Sequence, residues 1–196
     1  MASASSELTG AGASAPVAVK LLVAGGFGVG KTTLVQSVTE IKSLHSEELV
    51  SDHSDDYYRL GAAEAKTTTT VALDFGRITI DEDIVLYLFG TPGQERFWFM
   101  WNELAFGAVG VVVLADTRRL ADCFAAIDYF EMRHVPFVVA INQFDGAPRF
   151  HPEVVRSALD LDPRVPVVPC DARDRVSCRD ALVVLVEYAR RLLETD

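Results

Sequence analysis

The stretch Gly25-Gly26-Phe27-Gly28-Val29-Gly30-Lys31-Thr32 constrains this chain more than any other. It follows an apolar run, Val17 to Ala24, and opens a segment of helical character from Thr32 to Ile41. A strand, a G-x-x-x-x-G-K-[ST] loop and a helix in that order are the context of a phosphate-binding P-loop. Each part has a physical reason. Glycines admit unusual backbone angles, so successive N–H groups can converge on phosphate oxygens. The positive end of the following helix adds attraction for anions. Lys31 is placed to reach the β- and γ-phosphates, and the Thr32 hydroxyl to ligate Mg²⁺. Gly25, Gly26, Gly28, Val29, Gly30, Lys31, Thr32 and Thr33 are therefore candidate binding residues for a nucleoside phosphate.

A chain of 196 residues suits one α/β domain with a sizeable core. With 18 basic and 28 acidic residues the formal net charge is −10, which argues against broad capture of nucleic acid or anionic lipid. Cys123, Cys170 and Cys178 lack metal-ligand spacing and read as reduced thiols. Residues 1–15, rich in Ala, Ser and Gly, read as a disordered tail ahead of a single domain at 16–196. The tail lacks the basic start and apolar core of a secretory signal. No run approaches the roughly 20 apolar residues of a membrane span, and no lipidation motif is visible at either end. The expectation is a cytoplasmic chain without a membrane anchor of its own.

Apolar runs alternate with helical patterns along the rest. Strands are expected at Val17–Ala24, Thr67–Ile80, Ile84–Phe89, Val109–Ala115, Val135–Ile141 and Val165–Pro169. The second and third form a hairpin across Asp81-Glu82-Asp83. Helices are expected at Thr32–Ser43, within Arg118–Arg133, at Pro152–Leu161 and at Cys178–Glu194, the last with an apolar stripe of Leu182, Leu185, Val186, Ala189 and Leu193. Leu44 to Lys66 reads as a long, polar, mobile segment. The fold class is α/β: a mixed, mostly parallel six-stranded sheet with helices on both faces and ligands at the carboxyl ends of the strands.

Three further segments fall at those strand ends: Gly90-Thr91-Pro92-Gly93-Gln94-Glu95-Arg96-Phe97, Asn142-Gln143-Phe144-Asp145 and Asp171-Ala172-Arg173. With the P-loop they resemble, in order and spacing, the nucleotide motifs of the Ras-like small GTPases over residues 17 to 194. Gly93 to Phe97 matches the Rab-type wording of its loop. Among subgroups the chain is similar to the bacterial MglA-type gliding-motility GTPases and to those of actinobacterial conservon operons. The resemblance implies a Ras-like G domain binding GTP and GDP with Mg²⁺. Asp145 would accept two hydrogen bonds from guanine, a donor pair that adenine lacks; such charge-assisted bonds are worth roughly 1.5–3 kcal/mol each. Asn142 would support the loop and the base, the Ala172 backbone would meet the guanine O6, and Gln143, Asp171 and Arg173 would complete the base site. Gln94 would orient the attacking water, the Gly93 N–H would contact the γ-phosphate, and Thr70 would close over Mg²⁺. A Roadblock/LC7-type regulator is the implied partner.

The chain also departs from that family. Phe27 stands where a small residue is usual and would crowd Gln94 or an incoming arginine. Gly90 stands where an Asp would support Mg²⁺ through water. Asp74, on the neighbouring antiparallel strand, is a partial substitute, although Rab-like proteins often carry an Asp there in addition to the usual one. Gln143 replaces a Lys, and Pro92 stiffens the turn before Gly93. Slow hydrolysis is expected from these changes. Phe97, Trp98, Phe99, Met100 and Trp101 cannot all face a core, so part of that run is expected to form a protein-binding patch. Two competing readings are a guanine-nucleotide module with little turnover and a P-loop kinase. The kinase would need an arginine-bearing lid and an acceptor pocket, neither of which is legible.

Overall fold

The computed structural model describes residues 15–42, 44–51, 68–93 and 95–194. The elements run β1 (Val17–Gly25), α1 (Lys31–Val38), β2 (Leu44–Ser51), β3 (Thr68–Thr79), β4 (Ile84–Gly90), α2 (Trp101–Ala105) and β5 (Ala108–Ala115). They continue with α3 (Phe124–Met132), β6 (Phe137–Asn142), α4 (Pro152–Ala158), β7 (Val167–Cys170) and α5 (Arg175–Leu193). Among the described residues, one seven-stranded sheet holds the strands in the order β2-β3-β4-β1-β5-β6-β7. β4, β1, β5, β6 and β7 are mutually parallel, whereas β3 runs antiparallel to β4 and β2 antiparallel to β3.

The central strands are apolar throughout because both of their faces are covered. Leu21 and Val23 of β1 join Val112, Leu114, Val138 and Ala140 in a core closed by Leu34 of α1 and Leu185 of α5. Leu22 and Ala24, one residue out of phase, join Val111, Val113, Phe137 and Val139 under Ile127 and Phe130 of α3 and Val155 of α4. This is the period of two expected of a strand, with neither face left to solvent.

The six expected strands are present, with ends displaced by a few residues. β6 begins only at Phe137, after Pro136, which has no N–H to give a ladder. The β3–β4 turn forms as expected, held by Asp81, whose Oδ1 accepts from the Asp83 and Ile84 N–H groups at 2.8 Å each. α1 stops at Val38, earlier than expected, because Thr39 turns to extended backbone at ψ 145°. α5 starts earlier, at Arg175, because Asp174 caps it by accepting from the Ser177 N–H at 2.7 Å.

Two expectations need correction. Of Leu44 to Lys66, expected to be mobile, Leu44 to Ser51 is a seventh strand paired with the first eight residues of β3, from Leu44 opposite Phe75 to Ser51 opposite Thr68, and residues 52–66 lie outside the described residues. β4 pairs with β3 only from Asp74 onward, so much of that long strand leaves its ladder for another partner. An edge strand gains its place through main-chain bonds and tolerates polar side chains. The apolar stripe of α5 is also rotated from the expected one. Cys178, Ala181, Leu182, Leu185 and Ala189 are buried, whereas Val186 and Leu193 are exposed. Among the described residues, the three cysteines are free and buried, and no helix is long and apolar enough to cross a membrane.

Candidate nucleotide site

Parallel strands deliver their carboxyl ends to one edge of the sheet. Here that edge gathers the loops after β1, β4, β5, β6 and β7. The loop after β1 is the P-loop. Gly25 and Gly30 take φ values of 130° and 103°, in a region that side-chain-bearing residues avoid. A Cβ on Gly25 would meet the Leu114 carbonyl oxygen at 2.4 Å, and one on Gly30 would meet the Asn142 amide nitrogen at 2.6 Å. Close approach of neighbouring loops, as well as dihedral freedom, therefore requires both glycines.

Lys31 opens α1 and is nine-tenths buried. Its Nζ donates to the Gly25 and Gly26 carbonyl oxygens at 2.9 and 2.7 Å. Burial lowers its pKa to about 8, against the opposing pull of the Asp74 carboxylate. Gly93, after β4, packs on this ammonium so closely that a Cβ there would lie 2.6 Å from Nζ. The Thr32 hydroxyl donates to Asp74 Oδ2 at 2.6 Å. Thr33 is exposed on the same helix turn.

Asp74 and Gly90 are direct partners in the β3–β4 ladder. A Cβ built on Gly90 would lie 2.9 Å from both Cβ and Oδ2 of Asp74. The carboxylate rooted on β3 therefore fills the volume that a side chain at position 90 would take. A hydroxyl and a buried carboxylate beside a lysine make an oxygen set suited to a hard divalent cation completed by phosphate oxygens. The residues present fit Mg²⁺.

On the far side of the P-loop, Asn142 joins three loops. Its buried amide donates to the Val29 carbonyl at 2.8 Å, and its Oδ1 accepts from the Ala172 N–H at 3.0 Å. Ala172 is buried and its carbonyl accepts from Ser37 Oγ of α1 at 2.6 Å. Around this joint lies a cleft of about 290 Å³ lined by Gly30, Thr33, Gln143, Asp145, Ala172 and Arg173, among others. At its rim Arg173 grips Asp145 through Nη1 and Nη2 at 2.7 and 3.2 Å, and Asp171 through Nε and Nη2 at 2.9 and 2.8 Å. The guanidinium holds both carboxyls below their usual range. A larger cleft, of about 600 Å³, lies at the opposite end of the sheet, beside Pro136 and Tyr188, and receives none of these loops.

The structure thus brings together Gly25, Gly26, Gly28, Val29, Gly30, Lys31, Thr32, Thr33 and Gly93 on one side, and Asn142, Gln143, Asp145, Asp171, Ala172 and Arg173 on the other. Gln94 lies outside the described residues. Thr70 lies in β3 opposite Leu49 of β2, and its side chain lies outside the description. Of the aromatic run after Gln94, Phe97 and Trp101 are buried and Phe99 is exposed. Trp101 is core: its Nε1 donates to the Pro92 carbonyl at 3.2 Å, and its ring stacks on Phe130.

The loop after β5 has no counterpart among the expected site residues. Asp116, buried, accepts from Arg118 Nε and Nη2 at 2.9 and 2.7 Å. Arg119 donates through Nη2 to the Phe27 carbonyl of the P-loop at 2.9 Å. Its signal was positional, since Asp116 to Arg119 follow an apolar strand directly, as the other site loops do.

A P-loop, a β-strand carboxylate beside it, and an Asn-tied cleft at one edge of a mostly parallel sheet define a nucleotide-binding protein of the P-loop, G-domain fold. The chain belongs to the family described as "Conserved hypothetical ATP binding protein", whose profile matches residues 23–191. It is 33% identical over 130 residues to the uncharacterized protein MJ1339 of Methanocaldococcus jannaschii, covering 65% of this chain and 71% of that one. It is 25% identical over 185 residues to the human Ras-related protein Rab-7b, covering 88% and 83%. Among solved structures it matches the cytosolic domain of the T. maritima FeoB iron transporter at a TM-score of 0.62 and 19% identity, covering 88% of this chain and 64% of that one. The G domain of the same transporter matches at 0.60 and 20% identity, covering 88% and 99%. These last two likenesses concern the fold.

Proposed function

We propose that this chain is a guanine-nucleotide switch that hydrolyses GTP slowly and presents its nucleotide state to a protein partner. The observation that carries the reading is Asn142, whose single amide ties the P-loop to the Ala172 loop beside the cleft that Asp145 lines. A phosphate chain on the Lys31 side and a base on the Asp145 side then belong to one ligand. The family description names ATP, but an ionised carboxylate at the rim favours guanine. Guanine presents N1–H and an amine to a carboxylate, whereas adenine presents the N1 lone pair. Asp145 can accept both while keeping Arg173, since a carboxylate has about four acceptor sites.

Thr32 would hold Mg²⁺ directly, with Asp74 supporting it in place of a residue at position 90 and Thr70 closing from β3. Bound Mg²⁺ would neutralise charge developing on the β- and γ-phosphate oxygens. Lys31 would hold the same oxygens, with Gly93 backing its ammonium and offering an N–H toward the γ-phosphate. Gln94 would orient water, and Phe27, 64% exposed at the P-loop tip, would hinder that geometry and slow the reaction. Phe99, exposed in the 3₁₀ segment that follows Gly93 and Gln94 in the chain, suits an effector or a Roadblock/LC7-type regulator. The domain at 16–196, a cytoplasmic setting and a place near the MglA-type and conservon-type proteins belong to the same proposal. A second reading, a nucleotide-holding module with little turnover, draws on Phe27.

Titration with fluorescent GDP and ADP, followed by multiple-turnover phosphate release from GTP, tests the reading. GDP tighter than ADP by well over tenfold, with slow release, is expected. Equal or inverted preference refutes the guanine assignment, and release that never passes one equivalent leaves the module.

A further inference from the structure

The base cleft has a wall that the nucleotide motifs do not supply. Arg118, from the loop after β5, lines it beside Gln143 and Asp145. Its guanidinium is held rigidly on two sides. Buried Asp116 accepts from Nε at 2.9 and 3.2 Å and from Nη2 at 2.7 Å, and the same group lies 4.1 Å from the centre of the Phe144 ring. The side chain nevertheless keeps 45% of its surface exposed. An arginine normally loses much rotamer freedom on engaging a ligand; here Asp116 and Phe144 have already removed it. The other guanidinium of the cleft, that of Arg173, is committed to Asp145 and Asp171. Gln143 carries no charge.

We propose that Arg118 is a nucleoside-binding residue whose guanidinium plane stacks against the purine of the bound nucleotide. The inference rests on the guanine-nucleotide reading above and deepens it. A planar cation against a purine face is attracted to any purine. Arg118 therefore supplies affinity without discrimination, while Asp145 supplies the choice of base. Neutralising Asp116 alone would not require Arg118 to line the cleft, and Arg119 already lies 3.9 Å from the same carboxylate.

The experiment compares wild type, Arg118→Ala and the double variant Arg118→Ala/Gln143→Lys for binding of GDP, ADP and inorganic pyrophosphate, which has no base. Arg118→Ala is expected to weaken GDP about tenfold, to leave the GDP-to-ADP ratio unchanged, and to leave pyrophosphate unchanged. Gln143→Lys in the same background returns a cation to the cleft and is expected to restore most of the GDP affinity while Asp116 still lacks Arg118. A purely structural role predicts no such rescue. Equal loss of GDP and pyrophosphate, or GDP binding unaltered in Arg118→Ala, overturns the proposal and leaves the guanine reading standing. Wild type that holds no GDP removes both. Should Arg118→Ala fail to fold, the uncharged pair Asp116→Asn/Arg118→Gln takes its place with the same expected pattern.

Discussion

Lys31 should make the nucleotide-free protein gain stability as the pH rises above neutrality. Its ammonium is nine-tenths buried, and its pKa falls from 10.5 to about 8, chiefly through lost solvation. Below pH 8 both the folded and the unfolded chain carry the proton, and the folded state bears the full penalty of burying the charge. Between about 8 and 10.5 the unfolded chain still holds a proton that the folded chain has released, so stability rises with pH. At 1.36 kcal/mol per pH unit, the whole window amounts to about 3 kcal/mol. Other groups titrate there too, and Lys31→Met separates them. Urea unfolding of both proteins at intervals from pH 7 to 10.5 should give curves whose difference is flat to pH 8 and then moves in favour of wild type by up to about 3 kcal/mol. GDP should shift this response, because its phosphates stabilise the charged lysine. GDP affinity is then level below pH 8 and falls toward tenfold per unit above it. A constant difference between wild type and Lys31→Met across the range would refute both the depressed pKa and its cause.

The shared volume of Asp74 and Gly90 predicts a swap. Asp74→Ala should raise the Mg²⁺ needed to retain GDP by about 10–100-fold, Gly90→Asp alone should destabilise the fold through its 2.9 Å clash, and Asp74→Ala/Gly90→Asp should recover Mg²⁺ dependence. GDP release measured against Mg²⁺ concentration reads all three, and a double variant no better than Asp74→Ala sinks the idea. Phe27→Gly should speed single-turnover GTP hydrolysis by about tenfold, equivalent to 1.36 kcal/mol of barrier; an unchanged rate removes the crowding argument. Trp101→Ala should cost about 3–5 kcal/mol by denaturant unfolding, whereas Phe99→Ala should cost less than about 0.5 kcal/mol and act only on nucleotide-dependent partner capture. Similar unfolding midpoints for the two variants would contradict the assignment of one to the core and the other to the surface.

The parts of the site legible in the sequence are those whose chemistry and backbone geometry reside in one short stretch. The P-loop is of this kind: the same residues supply the turn, the lysine and the hydroxyl, and an apolar strand before them sets their position. Asn142 and Ala172 were legible only through the resemblance, since an Asn-x-x-Asp stretch alone reads as an ordinary turn. β2 was not legible, because an edge strand draws on main-chain pairing with β3 and leaves little apolar rhythm behind. The aromatic run was legible in part: it cannot all face a core, and Phe97 and Trp101 are buried while Phe99 is exposed. Which of them turn inward was less legible, because Glu95–Met100 is a 3₁₀ segment running into a short α-helix.

The sequence placed Arg118 and Arg119 only at the start of a helical pattern running to Arg133. Ligands were expected at strand carboxyl ends, and Asp116 to Arg119 stand at one, but no phosphate or base motif marks that loop. The Asp74–Gly90 exchange is the deepest case. Sixteen positions separate them in the sequence, and only antiparallel register sets them face to face. A slip of one residue would send the Asp74 side chain to the other side of the sheet, away from Thr32. Whether this chain can support Mg²⁺ without an acid at position 90 thus depends on strand register, which the hydrophobic pattern of β4 and the Asp81 turn impose together. The swap variant tests that dependence directly, since it keeps the register and moves only the carboxylate.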